Sequence, residues 1–221
     1  MALLGIFSPI LLQLLTIGGM RRVPETLIDF NHNIVTFFSF FFGTLLVSFI
    51  VIFTFYFEYQ EDTWKNMLIA PYKKGKILLA KLIYTFLFTA AIFLIGYGFD
   101  VLTAGIIGVS LNLPMLKQYL EMFFLMALLF YTIAPLMALL TLIFQGFIAP
   151  MLAAIIGSLA GMVAIYSENY LFVPWAIPAK IMLTLQQNTG DNLLPAYLSA
   201  AFFFLITFSI LFLYFLKTDQ R

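Results

Sequence analysis

The 221-residue sequence contains no cysteine, which excludes disulfide staples, thiol nucleophiles and Cys-ligated metals or clusters. Its single histidine, His32, excludes a multi-His metal site, so any metal would have to be held by carboxylates alone. Charge is scarce: Asp, Glu, Lys and Arg make up 10% of the chain, against roughly 25% in soluble domains. Eleven basic and ten acidic residues leave a net charge of +1, too even for a nucleic-acid surface. There is no G-x-x-x-x-G-K-[ST] loop, since Gly75-Lys76 is followed by Ile77 and the position five before Gly75 is Ala70. The chain is therefore not expected to hold ATP, Mg or any other cofactor itself. No H-E-x-x-H occurs, and no paired carboxylates fall inside a hydrophobic run where they could act as acid and base. A non-catalytic protein is expected.

What the chain has in abundance is apolar side chain: 63% hydrophobic and 18% aromatic residues, with a mean hydropathy of +1.06. That composition belongs to an integral membrane protein. A hydrocarbon core about 30 Å thick and a helical rise of about 1.5 Å per residue set about 35 residues per span with its share of loop, hence about six spans and no room for a soluble domain. The apolar runs predict spans near 2–20, 34–57, 77–99, 122–144, 147–166 and 193–216. The first ends at Arg21-Arg22. A signal peptide fits it poorly, because no basic residue precedes the run and no A-x-A site precedes the arginines.

The third run, Ile77 to Val109, exceeds one span, so its membrane part is expected to end near Phe99, with Gly96 and Gly98 loosening the helix and Asp100 at the far interface. Lys81, one turn inside, is expected to snorkel to the near surface. Gln145-Gly146 alone separates the fourth and fifth runs and implies a tight helical hairpin. The mixed segment Ser167 to Asn192 is expected to form an external helix lying at or dipping into the interface. Counting Lys and Arg on alternate sides gives seven (Lys65, Lys73, Lys74, Lys76, Lys81, Lys217, Arg221) against four (Arg21, Arg22, Lys117, Lys180). Positive-inside orientation then puts both termini and the 58–76 loop in the cytoplasm.

That loop is the most polar stretch, holding seven charged residues: Glu58, Glu61, Asp62, Lys65, Lys73, Lys74 and Lys76. Trp64, Met67 and Leu68 recur at i, i+3, i+4, and Glu61 and Lys65 form an i, i+4 pair, which predicts a short amphipathic helix ended by Pro71. From the pattern alone it could equally be a membrane-surface anchor with Trp64 in the headgroup layer.

The order Glu58-Tyr-Gln-Glu61-Asp62-Thr63-Trp64-Lys65-Asn-Met67-Leu68-Ile-Ala-Pro71-Tyr-Lys73-Lys-Gly75-Lys76, followed by Lys81 in the third run, resembles the signature between the second and third spans of type-2 ABC transporter permeases. The small six-span permeases of the bacitracin and lantibiotic self-protection (immunity) subgroup are more similar still. The resemblance implies an all-α integral membrane permease domain over 1–221 in a bacterial plasma membrane. It also implies a cytoplasmic coupling helix at about Glu61 to Ala70 that docks on a separate ABC ATPase dimer carrying the ATP and Mg, and a second permease, identical or homologous, facing this one. Members of the family usually carry an amphipathic helix before the first span. Here the apolar run begins at residue 2, so that element is either missing from the sequence or absent from this member.

Gly157 and Gly161 form a G-x-x-x-G in the fifth run, flanked by Ala153, Ala154 and Ala164, which lets helix backbones approach closely, within the subunit or between subunits. Spans almost free of charge suit an amphipathic peptide antibiotic, hydrophobic drug or lipid-like cargo better than an ion or sugar. Two other classes stand beside an ATP-driven exporter: an ion-coupled secondary transporter, which requires intramembrane relays or broken helices in both halves, and a membrane scaffold without transport.

Overall fold

The computed structural model describes residues 41–60, 74–187 and 192–217, and within these the secondary structure is helical without strands. Helix α1 covers Gly43–Gln60, α2 Lys74–Ile107, α3 Leu113–Tyr131, α4 Ala134–Phe144, α5 Ile148–Ala164, α6 Ala176–Gln187 and α7 Leu194–Lys217, with a 3-10 turn at Tyr170–Phe172 before α6. Three stretches are long and apolar enough to cross a bilayer: α2, the joined α3–α4 stretch from Leu113 to Phe144, and α7. Two shorter apolar helices, Gly43–Phe57 and Ile148–Ala164, accompany them. The expected first span, 2–20, and the start of the second, 34–40, lie outside the described residues.

The helices are apolar on both sides. Val47, Val51 and Phe55 of α1, Leu78 and Phe93 of α2, Phe123, Met126 and Phe130 of α3 and Met137 of α4 share one buried cluster. Yet Leu198, Phe202, Leu205, Ile210 and Leu213 of α7 and Leu152, Ile156 and Val163 of α5 face outward. Water would not tolerate that outer surface, whereas lipid tails are as apolar as leucine and leave nothing to be gained by hiding it. This is a multi-pass membrane protein.

The expected end of the membrane part near Phe99 is not the end of helix α2. It runs 34 residues, about 51 Å at 1.5 Å per residue, and stops at a glycine cap: Gly108 takes a positive φ of 86°, with Gly108 N–H donating to the Gly105 carbonyl and Val109 N–H to that of Ala104. Together these bonds make a Schellman motif. Gly96 and Gly98 leave the helix intact. Its partner α3 begins at Leu113, nine residues before the expected span, with a proline in its first turn where a missing N–H costs nothing. The exposed pair Lys117 and Glu121, 3.9 Å apart, lies on this early stretch.

The fourth span is also discontinuous. Pro135 has no N–H to give the Tyr131 carbonyl, so α3 tightens and stops, and α4 restarts two residues later. The tight turn between α4 and α5 forms at Gln145, in the left-handed region with φ 48°. Phe147, just beyond it, meets Phe49 and Tyr56 of α1. Helix α6 lies on the segment expected at the interface, and its Ala176, Ile177, Ala179, Ile181 and Met182 are buried against α3, α5 and α7.

Candidate functional site

Of the sequence-derived coupling residues, Glu61, Asp62, Thr63, Trp64, Lys65, Met67, Leu68 and Pro71 lie outside the described residues, and Glu58 is described only as part of the backbone of α1. What can be built is the frame that carries their segment. It leaves α1 after Gln60 and re-enters at Lys74, the first residue of α2, so both ends are anchored in helix.

Behind these ends the two helices are locked together. Phe55 is buried, and the Lys81 ammonium sits 5.3 Å from the centre of its ring, a cation–π distance. Lys81 is 6% exposed. It does not snorkel outward, because turning inward gives its charge an aromatic face and its methylenes a packed wall. At the start of α2, Gly75 approaches α7 so closely that a Cβ would lie 3.1 Å from the Phe212 ring. The end of α1, the start of α2 and α7 are therefore packed as one unit.

The buried face of α2 collects four hydrophilic side chains: Lys81, Thr85 and Thr89 at four-residue spacing and, about three turns further along, Asp100. Helix α3 supplies two tyrosines opposite. Tyr131 donates from its hydroxyl to the Leu82 carbonyl at 2.5 Å and pairs with the Thr85 hydroxyl at 2.7 Å. Tyr119 donates to Asp100 Oδ2 at 3.0 Å, while Asp100 Oδ1 has no hydrogen-bond partner among the described residues. Asp100 is 1% exposed. Tyr119 neighbours exposed Lys117 and Glu121 in sequence, so the carboxyl sits at the polar end of the α2–α3 hairpin, sealed inside it rather than open at an interface. Neither tyrosine was singled out by sequence reasoning. An antiparallel hairpin pairs residues about equidistant from its turn, however, and the Gly108 cap puts 85 opposite 131 and brings 100 within a turn of 119.

Gly157 and Gly161 do open a groove on α5, and Trp175 of the same chain fills it. A Cβ on Gly157 would stand 2.3 Å from Trp175 Cε2, and one on Gly161 2.9 Å from Trp175 Cβ. On the neighbouring face of α5 the Ser158 hydroxyl meets that of Thr44 at 2.8 Å, tying α5 to α1. Among the described residues no three His, Asp or Glu side chains gather where they could hold a metal ion.

Residues 1–161 match the family described as ABC-2 family transporter protein, which covers nearly three quarters of the chain, including the 58–76 loop and helices α1 to α5 up to Gly161. No curated protein and no solved structure matches.

Proposed function

Because the chain belongs to the ABC-2 transporter family, and is thereby a permease component of an ABC transporter, we propose that it forms the membrane half of an ATP-driven exporter for amphipathic or hydrophobic cargo. On this reading residues 1–221 make one permease domain of six spans in a bacterial plasma membrane. Both termini are cytoplasmic, and the Glu61–Ala70 helix docks on a separate ABC ATPase dimer that binds and hydrolyses ATP. A second permease, the same or a related chain, faces it across the route. Closing of the ATPases moves the coupling helices and, through the locked end of α1 and start of α2, switches the cavity between its two accesses.

The observation that carries the cargo class is the scarcity of charge within the bundle. Between Lys76, in the first turn of α2, and the Asp100–Tyr119 pair, Lys81 is the one ionisable side chain on α2 apart from tyrosine, and it is turned onto Phe55. A hydrophilic ion or sugar would find no partners there, whereas a greasy peptide antibiotic of the kind handled by the self-protection subgroup would find a matching medium. A secondary transporter fits less well. It brings broken-helix ends and ionisable groups to one place near the midplane, but here Tyr119 and the break at Thr132 are thirteen residues apart, about 20 Å along the helix.

The test is susceptibility. Deleting the gene should sensitise cells to some members of a panel of amphipathic peptide antibiotics and hydrophobic drugs, with protection restored by the chain expressed together with its ATPase. Unchanged susceptibility across the panel, with expression verified, would refute the cargo assignment.

A further inference from the structure

Among the described side chains Asp100 is the one buried carboxyl, since Glu121 and Glu168 are exposed. It stands twenty-six residues after Lys74, about 39 Å along α2 at about 1.5 Å per residue. At an ordinary helix tilt that brings it to the far edge of a hydrocarbon core about 30 Å thick. The Tyr119 hydroxyl serves its Oδ2 at 3.0 Å, while Oδ1 is buried with no hydrogen-bond partner among the described residues. Lys117, two residues from Tyr119, does not compensate the carboxyl, because it is exposed and paired with Glu121. A carboxylate enclosed in this way is costly unless a cation joins it.

Three aromatic rings gather at the pair. Tyr97 precedes Asp100 by three residues on the same face of α2. Its ring lies 5.9 Å from that of Tyr119 and 6.0 Å from that of Phe123, and the last two are 5.0 Å apart. A carboxylate beside aromatic rings is the chemistry that recognises ammonium and guanidinium groups, through charge-assisted hydrogen bonds and the ring faces. Tyr97 is the partly exposed member of the group, and its hydroxyl is tied to α3 by one bond, to the Leu116 carbonyl at 3.1 Å. We propose that Asp100, with Tyr97 and Tyr119, binds the cationic head of an amphipathic molecule, admitted when the Tyr97 side chain rotates off Leu116. The head donates to Oδ1 while Tyr119 keeps Oδ2, and the apolar body lies over exposed Leu94, one turn before Tyr97. The inference deepens the cargo reading and rests on it for the amphipathic body, whereas the cation follows from the carboxyl.

Asp100→Asn separates charge from shape, since its amide oxygen can still accept from Tyr119. Without any probe this variant should unfold at or above the wild-type midpoint, because a neutral amide needs no cation. The full chain, isotope-labelled at its aspartate carboxyls and held in phosphatidylcholine nanodiscs at constant pH, is titrated with dodecylammonium chloride and, as the uncharged control, dodecanol. The carboxyl resonance that Asp100→Asn removes should move with the ammonium and stay in place with the alcohol. The affinity for dodecylammonium, followed through the rise in unfolding midpoint, should fall about tenfold or more in Asp100→Asn. Tyr97→Phe keeps the ring but cuts the tie to Leu116, and should raise the affinity up to about fivefold.

A resonance that moves equally with both probes, or equal affinity of wild type and Asp100→Asn for dodecylammonium, would overturn the site. Weaker binding by Tyr97→Phe than by wild type would overturn its route of entry. None of these measurements needs the ATPase or transport, so their failure leaves the exporter reading standing. Unchanged susceptibility of cells lacking the gene, conversely, would refute the cargo class and leave a measured cation site in place.

Discussion

At the scale of single residues, the glycines carry the sharpest contrast. A methyl group on Gly157 would collide with the Trp175 indole at 2.3 Å, whereas one on Gly98 would meet nothing within 4 Å. Gly157→Ala should therefore lower the thermal unfolding midpoint in detergent, at a cost of about 1–3 kcal/mol for the overpacking. Gly98→Ala should leave the midpoint unchanged or raise it, because alanine is the better helix former by about 0.5–1 kcal/mol. Equal behaviour of the two variants would mean that the groove is not filled as described. The G-x-x-x-G spacing was legible in the sequence, but its occupant was not. Trp175 lies fourteen residues beyond Gly161 in a mixed segment, and only the fold-back through the 3-10 turn brings it onto α5.

At the scale of elements, the sequence spoke most clearly through Gly, Pro and charge. Ile77 to Val109 was visible as one long run, and the Gly108 cap that ends its helix is ordinary glycine chemistry. A membrane boundary placed by span length need not end the helix, and α2 continues to Ile107. The break at Pro135 was equally open to reading, but uniform hydrophobicity on both its sides hid it. The boundaries of α6 gave no warning of burial either, because a helix near the interface and one inserted between neighbours share the same apolar face.

The coupling segment is the element with the most direct test. Glu58, Glu61 and Asp62 precede Trp64, Met67 and Leu68, which suits a groove on a protein, whereas a lipid anchor would avoid acids next to a negative leaflet. Glu61→Lys should sharply reduce the ATPase recovered on purification of the chain while leaving membrane insertion intact, since reversing a charge at a complementary interface costs on the order of a few kcal/mol. Equal recovery with wild type and variant would remove this helix as the docking element.

At the scale of the whole molecule, orientation rests on seven basic residues against four. Cysteine placed at Lys73 and at Gln187, at the exposed end of α6, reports it without interference from native thiols. An impermeant reagent applied to intact cells should label only position 187, and the reverse pattern would invert the topology. The same molecule also carries its own light source. Of its two tryptophans, Trp175 has its indole Nε1 buried and without a hydrogen-bond partner among the described residues and is wedged into α5. It is a natural fluorophore in an apolar setting, so the filling of that groove can be followed optically with no dye attached.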